Sequence, residues 1–104
     1  MVLDKRLKIR IVNGMAIRNK KDIDFGLGGN HYAYRYIPKN EIWIEKIISP
    51  RERKFIIAHE IIERHMMDKY KYPYQKAHNI ANKLEKRFRM HPQKLRQKLA
   101  NVIQ

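Results

Sequence analysis

His59, Glu60 and Glu63 lie inside a largely apolar stretch, Phe55 to Met67, which reads FIIAHEIIERHMM and also contains Arg64 and His65. His59 and Glu63 are four residues apart, so in a helix they project from one face, about one turn from each other. Two ligating atoms at this spacing can hold one metal ion, and Glu60, about 100° further round the helix, could deprotonate a water on that ion. Because buried carboxylates are costly unless they are paired or bind a metal, the stretch predicts a site.

A catalytic zinc ion needs a third protein ligand as well as an open position, and this chain has no cysteine to supply one. His78 is the best candidate, because it lies on the next predicted helix between Ala77 and Ala81, whose small side chains would let the two helices approach closely. With His59 and Glu63 it would complete a set for one zinc ion, although the same ligands suit other divalent metals.

Plainer interpretations exist for several of these residues. A single His/Glu pair at this spacing is more often a surface hydrogen bond, and the apolar flanks favour the metal site over that reading. His65 follows His59 by six residues and points well away from the pair, so we interpret it as a structural histidine. The tyrosines of the segment 31–37 are interpreted as sheet residues rather than as a stacking platform for bases.

The elements that must position the site divide the chain into a β-rich part, residues 1–48, and a helical part. Asn13-Gly14 between two apolar runs predicts a two-residue hairpin turn, and the glycines of 26–29 predict a flexible connection. Glu41–Glu45 resembles an edge strand because it has a charge at each end. We expect three to four short strands, over residues 7–12, 15–17, 31–37 and 41–45.

The helical part begins at a clear signal. Ser49 is a predicted N-cap with Pro50 at the first helical position and Glu52 at the third, which predicts a capping box and a helix from Pro50 to Lys69. A second helix is expected over 73–91 and a loosely attached amphipathic segment over 92–104. The predicted fold is one α+β domain, residues 1–104, with a small, mostly antiparallel sheet packed on the active-site helix.

Composition bounds the function further. The 104 residues carry 24 Lys and Arg against 10 acids, a net charge of +14, which favours polyanions or reflects a thermophilic host. No apolar run is long enough for a bilayer and no signal peptide is evident, so we expect an intracellular, cytoplasmic protein with no membrane partner. A nucleic-acid-binding module is an alternative, which would use Lys83, Lys86, Arg87, Arg89, Lys94, Arg96 and Lys98.

The order EIWIE, then FIIAHEIIE on a capped helix, then AHNIA on a second helix resembles the minigluzincins, which are minimal zincin-type metallopeptidases of about this size. The resemblance covers roughly Glu41 to Phe88. It implies that His59 is the first zinc ligand, that Glu60 is the general base, and that Glu63 occupies the second-ligand position. The motif differs from the family pattern, since Glu63 and His78 would exchange the residue types that gluzincins place there.

The resemblance also implies a substrate and a form of control. The strand Glu41–Glu45, with Ile42, Trp43 and Ile44, would be the rim along which an extended peptide or unfolded protein adds by β-pairing. The C-terminal segment would block the cleft of a latent enzyme, or exchange with a neighbour in a homodimer.

Residues beside the ligands should orient them, because a ligating imidazole usually donates its other nitrogen to a partner. The candidates here are Tyr74, Asn82 and Glu85. The leading hypothesis is therefore a latent zinc peptidase. A third possibility, besides the nucleic-acid module, is a zincin-scaffold protein that holds zinc without catalysis and acts through interaction.

Overall fold

The computed structural model describes residues 7–95 and 97. A strand, a short helix, two further strands and two long helices follow in order. Their bounds are β1 (Lys8–Val12), α1 (Gly14–Lys20), β2 (Gly28–Asn30), β3 (Glu41–Glu45), α2 (Pro50–Lys69) and α3 (Tyr74–Met90). The predicted α+β class, with a small sheet packed on the helix that bears the site, is confirmed. In this described part of the chain, no helix is both long and apolar enough to cross a bilayer.

The sheet is mixed and has the order β1-β3-β2. Strand β1 runs parallel to β3, from the pair Lys8 and Glu41 to the pair Val12 and Glu45. Strand β2 runs antiparallel to β3, with Asn30 opposite Ile42. The edges of the sheet are therefore β1 and β2.

The prediction that Glu41–Glu45 is an edge strand is wrong, because β3 has a strand on each side. Its ladder is already paired, so a substrate peptide cannot add to it. Ile42 and Ile44 are completely buried under α2, and Trp43 is half-buried on the opposite face, where its indole donates to Glu41 Oε1. None of the three can contact a substrate in the predicted way.

The predicted hairpin at Asn13-Gly14 is also wrong. Asn13 instead caps α1, with its side-chain oxygen accepting a hydrogen bond from the amide of Ala16 at 3.2 Å. Asparagine serves turns and helix N-caps equally well, and a parallel β1–β3 pair needs a crossover rather than a tight turn. Gly14 lies against the Glu45 carboxylate, so a Cβ at this position would overlap Glu45 Oε2 unless that side chain moved.

The prediction that the glycine cluster of 26–29 forms a flexible connection is wrong for Gly28 and Gly29, which lie in strand β2. The predicted strand over 31–37 is instead a series of turns. Asn30 explains the change, because its side-chain oxygen accepts from the amides of Tyr32 and Ala33 at 2.9 and 3.2 Å and so turns the chain after β2. Gly29 leaves room for the Tyr34 ring, whose atoms would lie 2.5 Å from a Cβ at that position.

The two long helices agree with the sequence. Ser49 is the N-cap of α2 and Pro50 its first residue, but the Ser49 side chain makes no capping hydrogen bond, so the predicted capping box is absent. Helix α2 is buried on two sides, with Ile61 facing the sheet and Ala58 facing α3. Ala77 and Ala81 are completely buried, which allows α3 to pack closely on α2.

The chain is helical again over 92–95. Leu95 is 3% exposed and packs with Phe55 and Phe88, so this part of the C-terminal segment is not loosely attached. The predicted blocking or exchange of the cleft by the C-terminal segment falls mainly on residues 96 and 98–104, where Arg96 and Lys98 also belong. Residue 96 and residues 98–104 lie outside the described residues.

Candidate metal centre

Three ligating atoms from two helices meet at one point. Helix α2 presents His59 and Glu63 one turn apart, and α3 brings His78 opposite them. Glu63 Oε2 lies 3.1 Å from His59 Nε2 and 2.9 Å from His78 Nδ1, and the two nitrogens are 3.2 Å apart. His59 and Glu63 are buried and His78 is half-buried. The group predicted from the sequence is therefore assembled and could hold a metal ion.

The triangle is difficult to satisfy with hydrogen bonds alone. If both nitrogens carry protons, two N–H groups crowd one carboxylate oxygen at a nitrogen separation of 3.2 Å. If only one carries a proton, the lone pair of the other faces a carboxylate oxygen across about 3 Å. A cation between the three atoms would use all of these lone pairs at once.

The distances suit zinc. Zinc–nitrogen and zinc–oxygen bonds of 2.0–2.2 Å in a tetrahedral site place neighbouring ligand atoms about 3.3 Å apart. The three separations here, 2.9 to 3.2 Å, are close to that value, so a small outward movement of the side chains would suffice. Two imidazoles and one carboxylate also form a donor set that zinc accepts.

Two of the three predicted partners of the ligands contact them. Glu85 Oε1 lies 3.1 Å from His59 Nδ1, although the contact does not have the geometry of a hydrogen bond. The Tyr74 ring stacks on His78 with centroids 5.2 Å apart, and its hydroxyl lies 3.4 Å from Nδ1. Asn82 is exposed on α3 and makes no hydrogen bond to His78 or to any other described residue.

Asn30 joins Glu60 to the ligand Glu63. Its side-chain amide donates to Glu60 Oε1 and to Glu63 Oε1, both at 3.2 Å, and Asn30 itself is completely buried. The sequence does not predict a role for Asn30, because nothing in Gly-Gly-Asn indicates that its side chain will contact a helix about 30 residues later. Only the pairing of β2 with β3 places it there.

The pKa of Glu60 is raised to about 8. Burial is the main cause, and the charge of Glu63 adds to it, while His59 and the Asn30 hydrogen bond oppose it. For His59, burial acts to lower the pKa, but the hydrogen bond with Glu63 and the charges of Glu60, Glu63 and Glu85 outweigh it, so its pKa is raised. A divalent cation would reverse both effects by favouring the charged carboxylate and the neutral imidazole.

The metal-free protein should therefore lose stability as pH rises from about 5 to about 8.5. Glu60 and His59 both hold their protons more tightly in the folded state, so their contribution is complete below the unfolded pKa values and is lost as pH passes the folded ones. For Glu60→Gln the loss should shrink by on the order of 3 kcal/mol. Urea unfolding with a chelator present, at both pH values, measures this.

Glu52→Gln is the control, because Glu52 is a surface acid whose side chain is 46% exposed. Its variant should keep the wild-type pH dependence. An unchanged dependence in Glu60→Gln would contradict the assignment of a buried, protonated Glu60.

An open cavity of about 290 Å³ adjoins the three ligands. Glu60 and Tyr74 reach its wall, and the chain before and within β2 forms the side facing α2 and α3. Its lining comprises Gly26, Leu27, Gly28, Tyr34, Ile56, His59, Glu60, Glu63, Tyr74, His78 and Glu85. A cavity of this size could admit a small ligand.

The other histidines lie apart from the group. The His65 ring packs edge-on against Tyr70, with centroids 5.9 Å apart, and burial lowers its pKa. His31 Nδ1 contacts the carbonyl of Ile37 at 2.8 Å, within its own loop. His91 is the exposed C-cap of α3.

No known protein family, curated protein or solved structure matches this chain. Its function must be inferred from the chemistry of the site.

Proposed function

We propose that the protein is a zinc-dependent peptidase of the minimal gluzincin type. The observation that carries the proposal is the convergence of His59, Glu63 and His78 on one point at the wall of an open cavity, with Glu60 beside them. The motif order, which is similar to that of the minigluzincins, supports the same assignment.

Zinc held by these three residues would supply a Lewis acid that polarises the substrate carbonyl and lowers the pKa of water. Glu60 would take a proton from the attacking water and pass it to the leaving amine. Asn30 holds Glu60 Oε1, which leaves Oε2 as the oxygen that carries the proton. Glu85 would orient His59, and Tyr74 would hold His78 by stacking on its ring.

The substrate strand belongs at β2 in this proposal, in place of the interior strand β3. Gly28 lies on β2 and lines the cavity beside His59, and β2 is the sheet edge nearest the ligands. An extended peptide paired along this edge would pass the three ligands with its backbone.

Glu60→Gln should keep zinc and lose at least about a hundredfold in hydrolysis, the usual contribution of a positioned general base. The measurement is cleavage of fluorescently labelled casein by zinc-loaded protein, with bound zinc determined on the same samples. Glu52→Gln should cleave like the wild type. Because the full chain is proposed to be latent, the same assay is run on a form truncated after Leu95. Zinc-loaded protein that cleaves nothing in either form would contradict the peptidase assignment and leave a metal site that acts without catalysis.

A further inference from the structure

The chain from the end of α2 to the start of α3 carries three tyrosines and three lysines, and Tyr70 and Tyr74 are exposed. We call residues 69–76, which read KYKYPYQK, the tyrosine–lysine segment. Tyr70 is 50% exposed and stacks on Tyr72 with ring centroids 5.6 Å apart at 26°. Lys76 Nζ lies 3.9 Å from the centroid of the Tyr72 ring, and Lys69 Nζ lies 5.7 Å from that of Tyr70. The rings of Tyr70 and Tyr72 and the ammonium groups of Lys69 and Lys76 thus lie on one surface.

Helix α3 continues this surface with cations. Its exposed residues at spacings of three and four are Lys76, Asn79, Lys83 and Lys86. The single acid of α3, Glu85, is turned towards His59 instead. None of the three lysines forms an ion pair with an acid in the described part of the chain.

The basic residues named in the sequence alternative are not equivalent. Arg89 forms ion pairs with Glu52 and Glu85, so its charge is compensated. Lys83 and Lys86 are exposed and follow Lys76, the last residue of the tyrosine–lysine segment, on the same face of α3. Three acids, Glu45, Glu60 and Glu63, are buried against one buried basic residue, Arg64, so the exposed side chains of the described residues are richer in cations than the composition suggests.

We propose that the tyrosine–lysine segment and the Lys76–Lys86 face of α3 bind single-stranded nucleic acid. Half-exposed tyrosine rings can stack on unpaired bases, which a duplex keeps inside its own stack. Lysines along the helix can contact successive phosphates, with affinity that falls as salt rises. Within the segment, Tyr74 also stacks on His78 and so serves the proposed peptidase. The inference rests on Tyr70, Tyr72 and the lysines, which the proposed peptidase does not use, and it therefore stands independently of it.

The experiment is fluorescence anisotropy of a labelled oligothymidylate of about 12 nucleotides with the full chain, at about 50 to 200 mM salt. Tyr70→Ala should weaken binding about tenfold, and Tyr70→Phe should bind within about twofold of wild type, because stacking needs the ring and not the hydroxyl. The double variant Lys83→Ala/Lys86→Ala should lower the slope of log affinity against log salt by about 1.4.

The matched control is Lys20→Ala/Lys46→Ala, which removes the same charge from exposed sites on α1 and after β3. It should bind nearly as wild type does. Three results would each overturn the proposal: no binding at low salt, equal weakening by both double variants, or a duplex of the same length bound as tightly as the single strand. Binding to phosphatidylserine vesicles without binding to the oligonucleotide would also overturn it.

Discussion

Replacing His59 or His78 by alanine is expected to reduce the zinc content of the purified protein from about one ion per chain to nearly none. Each imidazole is one of three ligands, and each lies within 3.2 Å of both other ligating atoms. Two remaining ligands cannot close a tetrahedral protein site. Elemental analysis after dialysis measures the metal directly.

The same variants should lack the stabilisation that we expect added zinc to give to the folded wild type. An ion at about a hundred times its dissociation constant stabilises a protein by about 2.7 kcal/mol, and this increment should vanish in His59→Ala and His78→Ala. Thermal unfolding with and without added zinc measures it. His65→Ala is the matched control, because its ring lies on the same helix but packs against Tyr70.

Well-folded wild type that contains neither zinc nor another transition metal, and gains no stability from added zinc, would refute the metal site. Retention of zinc by both alanine variants would show that the ion binds elsewhere.

Replacing Asn30 by leucine should lower the free energy of unfolding by about 3 to 5 kcal/mol. Asn30 is completely buried, and the nitrogen and the oxygen of its side-chain amide bind different groups. The amide donates to Glu60 and Glu63, and the oxygen accepts from two backbone amides of the following turn. Leucine has a similar volume but would leave Glu60 Oε1, Glu63 Oε1 and the amide of Tyr32 without these partners, while the amide of Ala33 would keep its bond to the backbone carbonyl of residue 30. Urea unfolding gives the value.

Asn30→Asp separates the two roles, because aspartate keeps the oxygen for the turn but replaces the donor with another acceptor. It should destabilise the metal-free protein more strongly at pH 8 than at pH 5, since a third buried carboxylate would then face Glu60 and Glu63. Asn79→Asp is the control, as Asn79 is exposed on α3. Equal stability of Asn30→Leu and wild type would contradict the bridging role.

The helical half of the site could be predicted from the sequence because its signals are local. The proline at the start of α2, the spacing of His59 and Glu63, and the alanines beside His78 all act within a few residues. Their consequences, two helices in close contact and three ligands together, follow from helix geometry.

The sheet could not be predicted in the same way. Asn13-Gly14 suits a hairpin as well as a helix start, and only the parallel pairing of β1 with β3 decides between them. The partners of Asn30 and of Glu45 lie some 30 residues away in sequence. Nothing in the local pattern of the glycine cluster signals those distant contacts.

The packing of Leu95 sets a boundary for any shortened form of the chain. Leu95 covers Phe55 and Phe88, the aromatic residues that join α2 to α3. A truncation that begins at Pro92 would uncover these rings and loosen the two helices that carry the metal ligands. A truncation that begins after Leu95 would leave the two rings covered. Only this longer truncated form could be tested for cleavage without the result also depending on partial unfolding.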